Sequence, residues 1–270
     1  MTERYVVPKL IGGLGNQLFI LAAAMDISIR SNMQLVFHDK PGNPHSNEAR
    51  TLCNLFPDIP IKIDIVIEKE YSGKTFTWND ILLDINPDDI CIFISGYNQH
   101  PKYIPDTFCN FIKNIPDQIP YIKMNDTAFL HVRRGDYVNH DIYEINSDIY
   151  YTAAVKNLLI RNPAIKLLIV SDDIVWSNKY ITELLKDIIP GENILYLDRE
   201  YTATETLNIM SNCLAGAICA NSSFSWWGAF VNKDRPIYMP CPWSSYDLSE
   251  TLGLYFDNVL RVSWKTGEIL

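Results

Sequence analysis

The sequence predicts an α/β fold made of two halves that face each other across a cleft. Residues 5–38 show a strand, a glycine-rich turn, a helix and a second strand, which is the order of a βαβ unit. From residue 127 onward, apolar strand-like runs again alternate with segments of helical periodicity. Between the two regions, prolines and polar residues cluster over Asn114–Asp126, as is typical of a domain boundary. We therefore predict domains over residues 1–118 and 119–270.

Individual elements follow from apolar runs and their spacing. In the first half, strands are predicted over Tyr5–Ile11, Gln34–His38 and Ile90–Gly96, with a helix over about Asn16–Arg30. Pro8 is unusual in a strand because proline cannot donate to the ladder. In the second half, strands are predicted over Thr127–Val132, Lys166–Val170, Asn193–Leu197, Gly216–Ala220 and Pro236–Met239. The helices between them are predicted over Tyr151–Arg161, Ser177–Ile188, Thr204–Cys213 and Ser223–Asn232.

The composition argues against several classes of protein. Hydrophobic residues make up 47% and charged residues 20% of the 270 residues, as in ordinary globular proteins. The net charge of −9 argues against binding to nucleic acids or anionic membranes, since both attract basic proteins. The 6 cysteines form no Cys-x-x-Cys pair, so we expect reduced thiols rather than a zinc site. The first residues contain no apolar run suited to a secretion signal or a membrane anchor, and a cytoplasmic location is expected.

Four stretches of polar residues and glycines follow predicted strands, where ligands of parallel sheets bind. The first is GGLGNQLF at Gly12–Phe19. Its glycines let the backbone approach a ligand closely, and the helix that follows presents free N–H groups to an anion. The spacing fits neither of the common nucleotide-binding glycine motifs. A tight turn without a ligand fits these residues equally well.

The second stretch is HVRRGDY at His131–Tyr137. A guanidinium binds two phosphate oxygens at once, which suits a diphosphate, and Asp136 could orient an arginine or accept a proton. Arg134 is expected to face away from Arg133, because side chains alternate along an extended segment. An exposed basic turn is the alternative. The Arg-Gly-Asp tripeptide at residues 134–136 also serves as a cell-adhesion signal, but neither a secretion signal nor the cysteine pattern supports an extracellular protein.

The third and fourth stretches are SDD at Ser171–Asp173 and NSSFSWWGA at Asn221–Ala229. An aspartate at a strand end can accept hydrogen bonds from a nucleobase or a ribose, or it can cap the next helix. Asn and Ser side chains at a helix start suit phosphate oxygens, and capping with Trp226 or Trp227 in the core is the alternative. No Asp-x-Asp sequence occurs in the chain, so carboxylate ligands for a metal-held diphosphate are not indicated.

Together these stretches resemble the α-1,2-fucosyltransferases of glycosyltransferase family 11. The chain shows GGLGNQLF, HVRRGDY, SDDIVW and NSSFSWWGA in the order that this family has. The resemblance implies a GT-B-like fold of two facing Rossmann-like domains, with the N-terminal domain on the acceptor side. It also implies an inverting, metal-independent transfer of L-fucose from GDP-fucose to a glycan acceptor, through an α-1,2 linkage to galactose or a similar sugar. No cofactor is expected.

The resemblance also assigns roles to individual residues. Arg133 would grip the donor diphosphate, His131 and Asp136 would fix its surroundings, and Asp136 is the candidate general base. The residues expected to contact the donor are Gly13, Asn16, Gln17, His131, Arg133, Asp172, Asp173, Asn221, Ser222, Ser223, Phe224 and Ser225. Two other functions stay open. One is the same scaffold with another nucleotide-deoxysugar, such as a rhamnose donor, and the other is a sugar-binding protein without catalysis.

Overall fold

The computed structural model describes residues 3–38, 52–63, 65–113, 124–145, 147–245 and 251–270. The chain forms two compact units: unit 1 comprises residues 1–116 and 252–255, and unit 2 comprises residues 117–251 and 256–270. The predicted boundary stretch falls mainly on residues 114–123, which lie outside the described residues. In contrast to the predicted 119–270 domain, the segment 252–255 belongs to unit 1.

Unit 1 is built on a parallel sheet. Its strands are β1 (Tyr5–Pro8), β2 (Gln34–Leu35), β5 (Lys69–Ser72) and β6 (Cys91–Ser95), in the spatial order β2-β1-β6-β5. A separate parallel pair joins β3 (Phe37–His38) to β4 (Ile61–Lys62). The predicted strand Gln34–His38 is therefore two short strands in different sheets. The helices of this unit include α1 (Leu14–Ser31) and α2 (Asp106–Lys113).

Helix α1 is buried on all sides in its middle part. The residues from Leu18 to Ala24 are all fully buried, and a helix that is apolar all round belongs in a protein interior. The helix ends at Asn32, which adopts the left-handed conformation with φ 53°. The backbone N–H group of Asn32 donates to the carbonyl oxygen of Ser28 in the last turn. The N-terminus of α1 is thereby held rigidly directly after the glycine turn that follows β1.

Pro8 ends β1 between two neighbouring strands, β2 and β6. The N–H groups of Tyr5 and Lys9 donate to carbonyls at Ile90 and Ile94, at 2.7 and 2.9 Å, so odd-numbered N–H groups face β6. The nitrogen of Pro8 therefore faces the β2 side, where the pairing of β1 with β2 has already ended at Val6. A proline at this position removes no ladder hydrogen bond, which explains why the sheet accepts it.

Unit 2 contains a larger parallel sheet. Its described strands are β7 (Thr127–Val132), β8 (Lys166–Ser171), β9 (Ile194–Tyr196), β10 (Gly216–Ile218), β11 (Ile237–Cys241) and β12 (Val259–Ser263). They lie in the order β12-β11-β10-β7-β8-β9, which is the strand order of a Rossmann sheet that starts at β7. The winding reverses between β7 and β10. Ligands of such sheets bind outside the carboxyl ends of the strands at this reversal point.

Four helices connect the first five strands of unit 2: α3 (Ser147–Arg161), α4 (Ile174–Leu185), α5 (Ala203–Asn212) and α6 (Ser223–Phe230). Helix α3 begins at Ser147 rather than at the predicted Tyr151, because Tyr150 and Tyr151 are core residues of its first turns. The Tyr150 hydroxyl lies 2.6 Å from the carbonyl oxygen of Cys219, which ties α3 to the sheet. None of the described helices is long and apolar enough to cross a membrane.

Arg235 is a buried cation in unit 2. One guanidinium nitrogen, Nη1, donates to the carbonyl oxygens of Met210, at 2.8 Å, and of Cys213, while Nη2 donates to the carbonyl of Gly228. These carbonyls lie near the C-terminal ends of α5 and α6, where a positive charge is favourable. Burial lowers the pKa of Arg235 to about 10, so the side chain stays charged at neutral pH. The guanidinium therefore joins the ends of two helices.

Candidate functional site

A cavity of about 640 Å³ lies in unit 2 at the carboxyl ends of β7 and β10. Its walls come from the segment between β7 and α3, from the first turns of α3 and α4, and from Ala220 and Asn221 after β10. The cavity therefore lies where the strand order predicts a ligand.

Arg133 lines this cavity and is held by two carboxylates. Its Nη2 atom lies 2.5 Å from Oδ1 of Asp136, and its Nη1 atom lies 2.8 Å from Oδ2 of Asp172. The Asp136 side chain is 69% exposed and the Asp172 side chain 25% exposed. The structure thus brings together three of the predicted site residues. Asp136 is the outer of the two carboxylates and does not form part of the cavity walls.

Arg134 also lines the cavity, and the expectation that it faces away from Arg133 is wrong. Strand β7 ends at Val132, so the alternation of a strand does not extend to these residues. The guanidinium of Arg134 stacks on the ring of Trp176 at 3.6 Å, and its Nε atom lies 3.1 Å from Oδ2 of Asp173. Both arginines therefore present cations to the same cavity, each oriented by one aspartate of the SDD stretch.

Gly135 leaves the space that the side chain of Asp172 occupies. A Cβ atom on Gly135 would lie 2.5 Å from Oδ2 of Asp172, which is the atom that contacts Arg133. The other oxygen of Asp172 accepts a hydrogen bond from the backbone N–H of Arg134 at 2.9 Å. The glycine in HVRRGDY is explained by this close approach, since any side chain there would push Asp172 away from the arginine.

The two aspartates of SDD have different surroundings. Asp173 accepts a hydrogen bond from the N–H of Trp176 at 3.2 Å and is the N-cap of α4, as the capping alternative expects. Asp172 caps no helix and contacts Arg133 instead. Neither carboxylate belongs to the cavity walls, so their predicted contact with the nucleoside remains a prediction.

His131 lies behind the arginines, near the end of β7. It is 3% exposed, its ring centre lies 5.9 Å from that of Phe224, and its Nδ1 atom has no hydrogen-bond partner among the described residues. Its backbone carbonyl accepts a hydrogen bond from the Tyr151 hydroxyl at 2.8 Å. Burial, with a further contribution from the charge of Arg133, lowers the pKa of His131 to about 3. The imidazole is therefore neutral at physiological pH and supports the site without adding charge.

The NSSFSWWGA stretch divides between the cavity and the core. Asn221 lines the cavity, whereas Ser222, Ser223, Phe224 and Ser225 are not among its walls. Ser222 is the N-cap of α6 and accepts from the N–H of Phe224 at 3.3 Å. The hydroxyl of Ser225 is fully buried and donates to backbone carbonyl oxygens of Ala220 and Ser222, both at 3.3 Å. Trp226 and Trp227 are fully buried, so capping and core packing account for most of this stretch.

Asn221 instead holds the segment that covers the cavity. Its Nδ2 atom donates to the carbonyl of Tyr143 at 3.0 Å, and its own carbonyl accepts from the Tyr137 hydroxyl at 3.1 Å. The rings of Tyr137 and Tyr143 stack with their centres 4.0 Å apart. Burial raises the pKa of Tyr137 well above its usual range, so its hydroxyl remains a hydrogen-bond donor. This aromatic pair fixes the loop after HVRRGDY.

Several wall residues have no counterpart in the predicted site. Asp148 in the first turn of α3 accepts from the hydroxyl of Tyr180 in α4 at 2.5 Å, and both side chains line the cavity. Tyr137, Tyr143 and Tyr151 also line the cavity, so the tyrosine-rich stretch 137–151 was the sequence signal for an aromatic wall. Among the described residues, no group of three or more His, Cys, Asp and Glu side chains is arranged to hold a metal ion.

Three predicted donor contacts belong to unit 1. Gly13 is exposed and immediately precedes α1, where no side chain caps the helix. Asn16 is partly exposed, and its Oδ1 atom accepts from Nε2 of Gln99 at 2.8 Å. Gln17 is fully buried and donates from Nε2 to the carbonyl of Gly12 at 2.7 Å. These residues form a turn of their own at the carboxyl end of β1.

Two known proteins with similar sequences are glycosyltransferases. The chain is 27% identical to an α-1,2-colitosyltransferase of Escherichia coli, over 88% of this chain and 92% of that protein. It is 28% identical to the O-antigen biosynthesis glycosyltransferase WbnK of Escherichia coli, over 44% of this chain and 39% of that protein.

The fold is similar to that of a solved glycosyltransferase. The E. coli heptosyltransferase WaaC, solved with ADP, matches 99% of this chain and 96% of its own chain, with a TM-score of 0.54 and 10% identity. The predicted α/β, GT-B-like fold class is confirmed by this similarity and by the parallel sheets of the two units. The model of glycosyl transferase family 11 matches residues 88–254, which is more than half of the sequence. The chain therefore belongs to glycosyl transferase family 11.

Proposed function

We propose that this protein transfers L-fucose from GDP-fucose to a hydroxyl of a glycan acceptor, with inversion at the sugar and without a metal ion. The linkage proposed is α-1,2 to galactose or a similar residue. The observation that carries the proposal is the pair of guanidinium groups, Arg133 and Arg134, on the wall of the cavity at the reversal point of the unit 2 sheet. Two fixed cations at this position suit a nucleoside diphosphate.

In this reaction, Arg133 supplies the positive charge that the leaving group requires. The acceptor oxygen attacks the anomeric carbon, the bond from that carbon to the β-phosphate oxygen breaks, and the departing GDP gains negative charge. A preorganised guanidinium stabilises this charge as it develops. Attack from the side opposite the diphosphate inverts the configuration of the sugar.

Asp136 and Asp172 orient Arg133 before the donor arrives. Because the Asp136 side chain is the more exposed of the two, the donor phosphate would replace its contact, and Asp172 would keep the guanidinium in place. The carboxylate of Asp136 lies outside the cavity walls, which makes Asp136 a poor general base. We therefore assign Asp136 to positioning Arg133 and leave the base among the carboxylates of the cavity wall, which include Asp141, Glu144 and Asp148.

A second donor is favoured by one of the relatives. The similar E. coli protein is an α-1,2-colitosyltransferase, and colitose is fucose without its 3-hydroxyl group. The same arginines would bind the diphosphate of either donor, so the choice depends on contacts to that hydroxyl. A site that hydrogen-bonds a hydroxyl rejects the analogue lacking it strongly, whereas the reverse discrimination is weak.

The proposal is tested by mass spectrometry of the products formed from a donor panel and galactose-terminated acceptors. The panel contains GDP-fucose, GDP-colitose and a nucleotide-rhamnose donor. A mass increase of one fucosyl unit, removed again by an α-1,2-specific fucosidase, is expected. Transfer of colitose or rhamnose in preference to fucose would assign the alternative donor, and absence of turnover with every donor would favour a sugar-binding protein.

GDP is expected to stabilise the protein against heat more than UDP or dTDP at equal concentration. A ligand that binds only the native state adds about 2.7 kcal/mol when present at a hundred times its Kd. Differential scanning fluorimetry with the three nucleotides measures this order. A larger shift with UDP or dTDP would contradict the guanosine donor.

Activity is expected to persist in excess EDTA, because the arginines supply the countercharge that a metal supplies in other glycosyltransferases. The measurement is the initial transfer rate before and after dialysis against EDTA. A loss that Mn²⁺ restores would contradict metal-independent transfer.

The proposed setting is the cytoplasm, where an acidic enzyme meets a nucleotide-sugar donor and a glycan acceptor. The net charge of −9 gives no support to a nucleic-acid partner.

A further inference from the structure

We propose that Trp176 is a positioning residue of the donor site, because its indole ring and the carboxylate of Asp173 hold the guanidinium of Arg134 ready to bind the donor diphosphate. This inference rests on the proposed function and deepens it, since it assigns different tasks to Arg133 and Arg134. It also gives a role to the tryptophan of the SDDIVW stretch, which the reaction itself does not use.

The two arginines of the cavity differ in which of their nitrogens are occupied. The terminal nitrogens of Arg133, Nη1 and Nη2, lie 2.8 Å from Asp172 and 2.5 Å from Asp136. Arg134 uses Nε, which lies 3.1 Å from Oδ2 of Asp173, and its terminal nitrogens make no hydrogen bond or ion pair with the described residues. Terminal nitrogens form the planar fork that binds two phosphate oxygens at once. Arg134 can therefore bind a phosphate without exchanging a protein contact.

Trp176 fixes the plane of this guanidinium. The Cζ atom of Arg134 lies 3.6 Å from the centre of the indole ring, which is direct stacking contact. A guanidinium is attracted to the face of an indole, and tryptophan is the strongest aromatic partner for a cation. The contact of Nε with Asp173 alone would let the group turn about that contact. The ring removes this freedom, so the fork keeps one orientation.

The carboxylate of Asp173 couples the two residues. Its Oδ1 atom accepts a hydrogen bond from the backbone N–H of Trp176 at 3.2 Å, while its Oδ2 atom contacts Nε of Arg134. A capping aspartate accepts from the second or third residue of its helix, and Trp176 is the third residue of α4. The spacing of aspartate and tryptophan in SDDIVW is therefore explained by one carboxylate that places both the helix start and the arginine.

The indole ring is itself held by a neighbouring helix. Tyr180, one turn further along α4, stacks on Trp176 with the ring centres 4.6 Å apart and the planes at 22°. Its hydroxyl donates to Oδ1 of Asp148 in the first turn of α3 at 2.5 Å. Burial raises the pKa of Tyr180 well above its usual range, so the hydroxyl stays a donor. Arg134, Trp176, Tyr180 and Asp148 all line the cavity and form one connected column there.

This arrangement predicts different kinetic roles for the two arginines. A contact that is ready before the donor binds stabilises the bound donor and the transition state equally, so its loss raises KM and leaves kcat nearly unchanged. Charge that develops on the leaving group instead affects kcat. Arg134, and Trp176 through it, should therefore act on binding of the diphosphate, whereas Arg133 acts on the chemical step.

Trp176→Leu is the decisive variant. It removes the aromatic face and keeps an apolar side chain that favours a helix, and the cap on Asp173 persists because it uses a backbone N–H group. We expect the Kd for GDP, measured by calorimetry, to rise about three- to tenfold. The kcat at saturating GDP-fucose should stay within about twofold of the wild-type value. Trp176→Phe, which retains an aromatic face, should bring the Kd back to within about twofold of the wild type.

Trp78→Leu is the matched control. Trp78 is 38% exposed, as Trp176 is, and carries the ammonium of Lys102 at 5.0 Å from its ring centre, but it does not line the cavity. This variant should leave both the Kd for GDP and kcat unchanged. Thermal melts check the fold of each variant, and Trp176→Met replaces Trp176→Leu if the latter melts below the assay temperature.

A double-mutant cycle shows whether Trp176 acts through Arg134. In an Arg134→Ala background, Trp176→Leu should cause no further loss of GDP affinity, because the group that it positions is gone. A full additive loss would overturn the inference and mean that the indole contacts the nucleotide itself. A fall in kcat with an unchanged Kd in Trp176→Leu would overturn it as well.

The same measurements separate this inference from the proposed function. If the wild type binds GDP, UDP or inorganic pyrophosphate but transfers no fucose, the proposed function fails. The Kd of the bound anion then decides the inference: a weaker affinity in Trp176→Leu that Trp176→Phe restores supports it, and an unchanged affinity overturns it. A wild type that binds none of the three anions overturns the inference outright.

Discussion

Arg133→Lys is expected to lower kcat/KM by ~10²-fold or more, comparable to removing one oxyanion-hole donor. Lysine retains one positive charge but loses the planar fork that can contact Asp172 and a phosphate together. Arg133→Ala should lose more. The side chain is 32% exposed and contacts one exposed and one partly exposed carboxylate, so neither variant should change the melting temperature appreciably.

The control for this experiment is Arg199→Lys. Arg199 also pairs with a carboxylate, Glu205 at 3.2 Å, and stacks on Tyr201, but it lies outside the cavity walls. Steady-state kinetics and thermal melts of both lysine variants separate a local chemical role from a general effect of losing a guanidinium. Turnover close to that of the wild type in Arg133→Lys would show that HVRRGDY does not grip the diphosphate.

Arg235→Met is expected to destabilise the protein by roughly 3–5 kcal/mol, because it removes the buried guanidinium that donates to three carbonyl groups. The guanidinium contacts the carbonyls of Met210, Cys213 and Gly228, and it is 6% exposed. For a protein of this size the corresponding fall in melting temperature is about 6–20 °C. Arg235→Lys should be intermediate, since an ammonium group cannot reach both helix ends.

Lys233→Met serves as the control, because it removes an exposed cation two positions away. A surface change of this kind alters stability by less than about 0.5 kcal/mol. Differential scanning calorimetry of the three variants measures the difference. A melting temperature unchanged in Arg235→Met would mean that the carbonyls find other donors and that the buried arginine does not join α5 to α6.

The sequence pattern predicted the strands of the unit 2 sheet up to β11, because their apolar and β-branched runs are bounded by turns. It missed β5, whose residues Lys69–Ser72 are polar and mostly exposed, since such an edge strand has no hydrophobic period. Strand β5 forms through pairing with a neighbouring strand rather than through local preference. The prediction also missed β12 at the edge of the other sheet, although Val259, Leu260 and Val262 are apolar strand formers.

The parts of the candidate site that consist of contiguous residues were predictable from the sequence. HVRRGDY and SDD could be located from the strands that precede them. The ion pair between Arg133 and Asp172 could not be predicted, because these residues are far apart in the chain and meet only when β7 pairs with β8. The serines of residues 222–225 suit a helix cap and a phosphate site equally well by composition, and only the direction of the Ser225 hydroxyl shows that it faces the backbone.

The segment 252–255 has a consequence for dividing the protein into fragments. The chain passes between the units three times, after residues 116, 251 and 255, so one cut in the linker does not release two independent pieces. A fragment starting at residue 117 would retain Leu254, which is fully buried, while lacking the rest of unit 1. Gly253, whose Cβ atom would lie within 3 Å of Phe76 and His100, would lose its close neighbours. Shortening the fragment to residue 251 would in turn remove β12 from the sheet edge. Neither unit is therefore formed by one continuous stretch of the sequence.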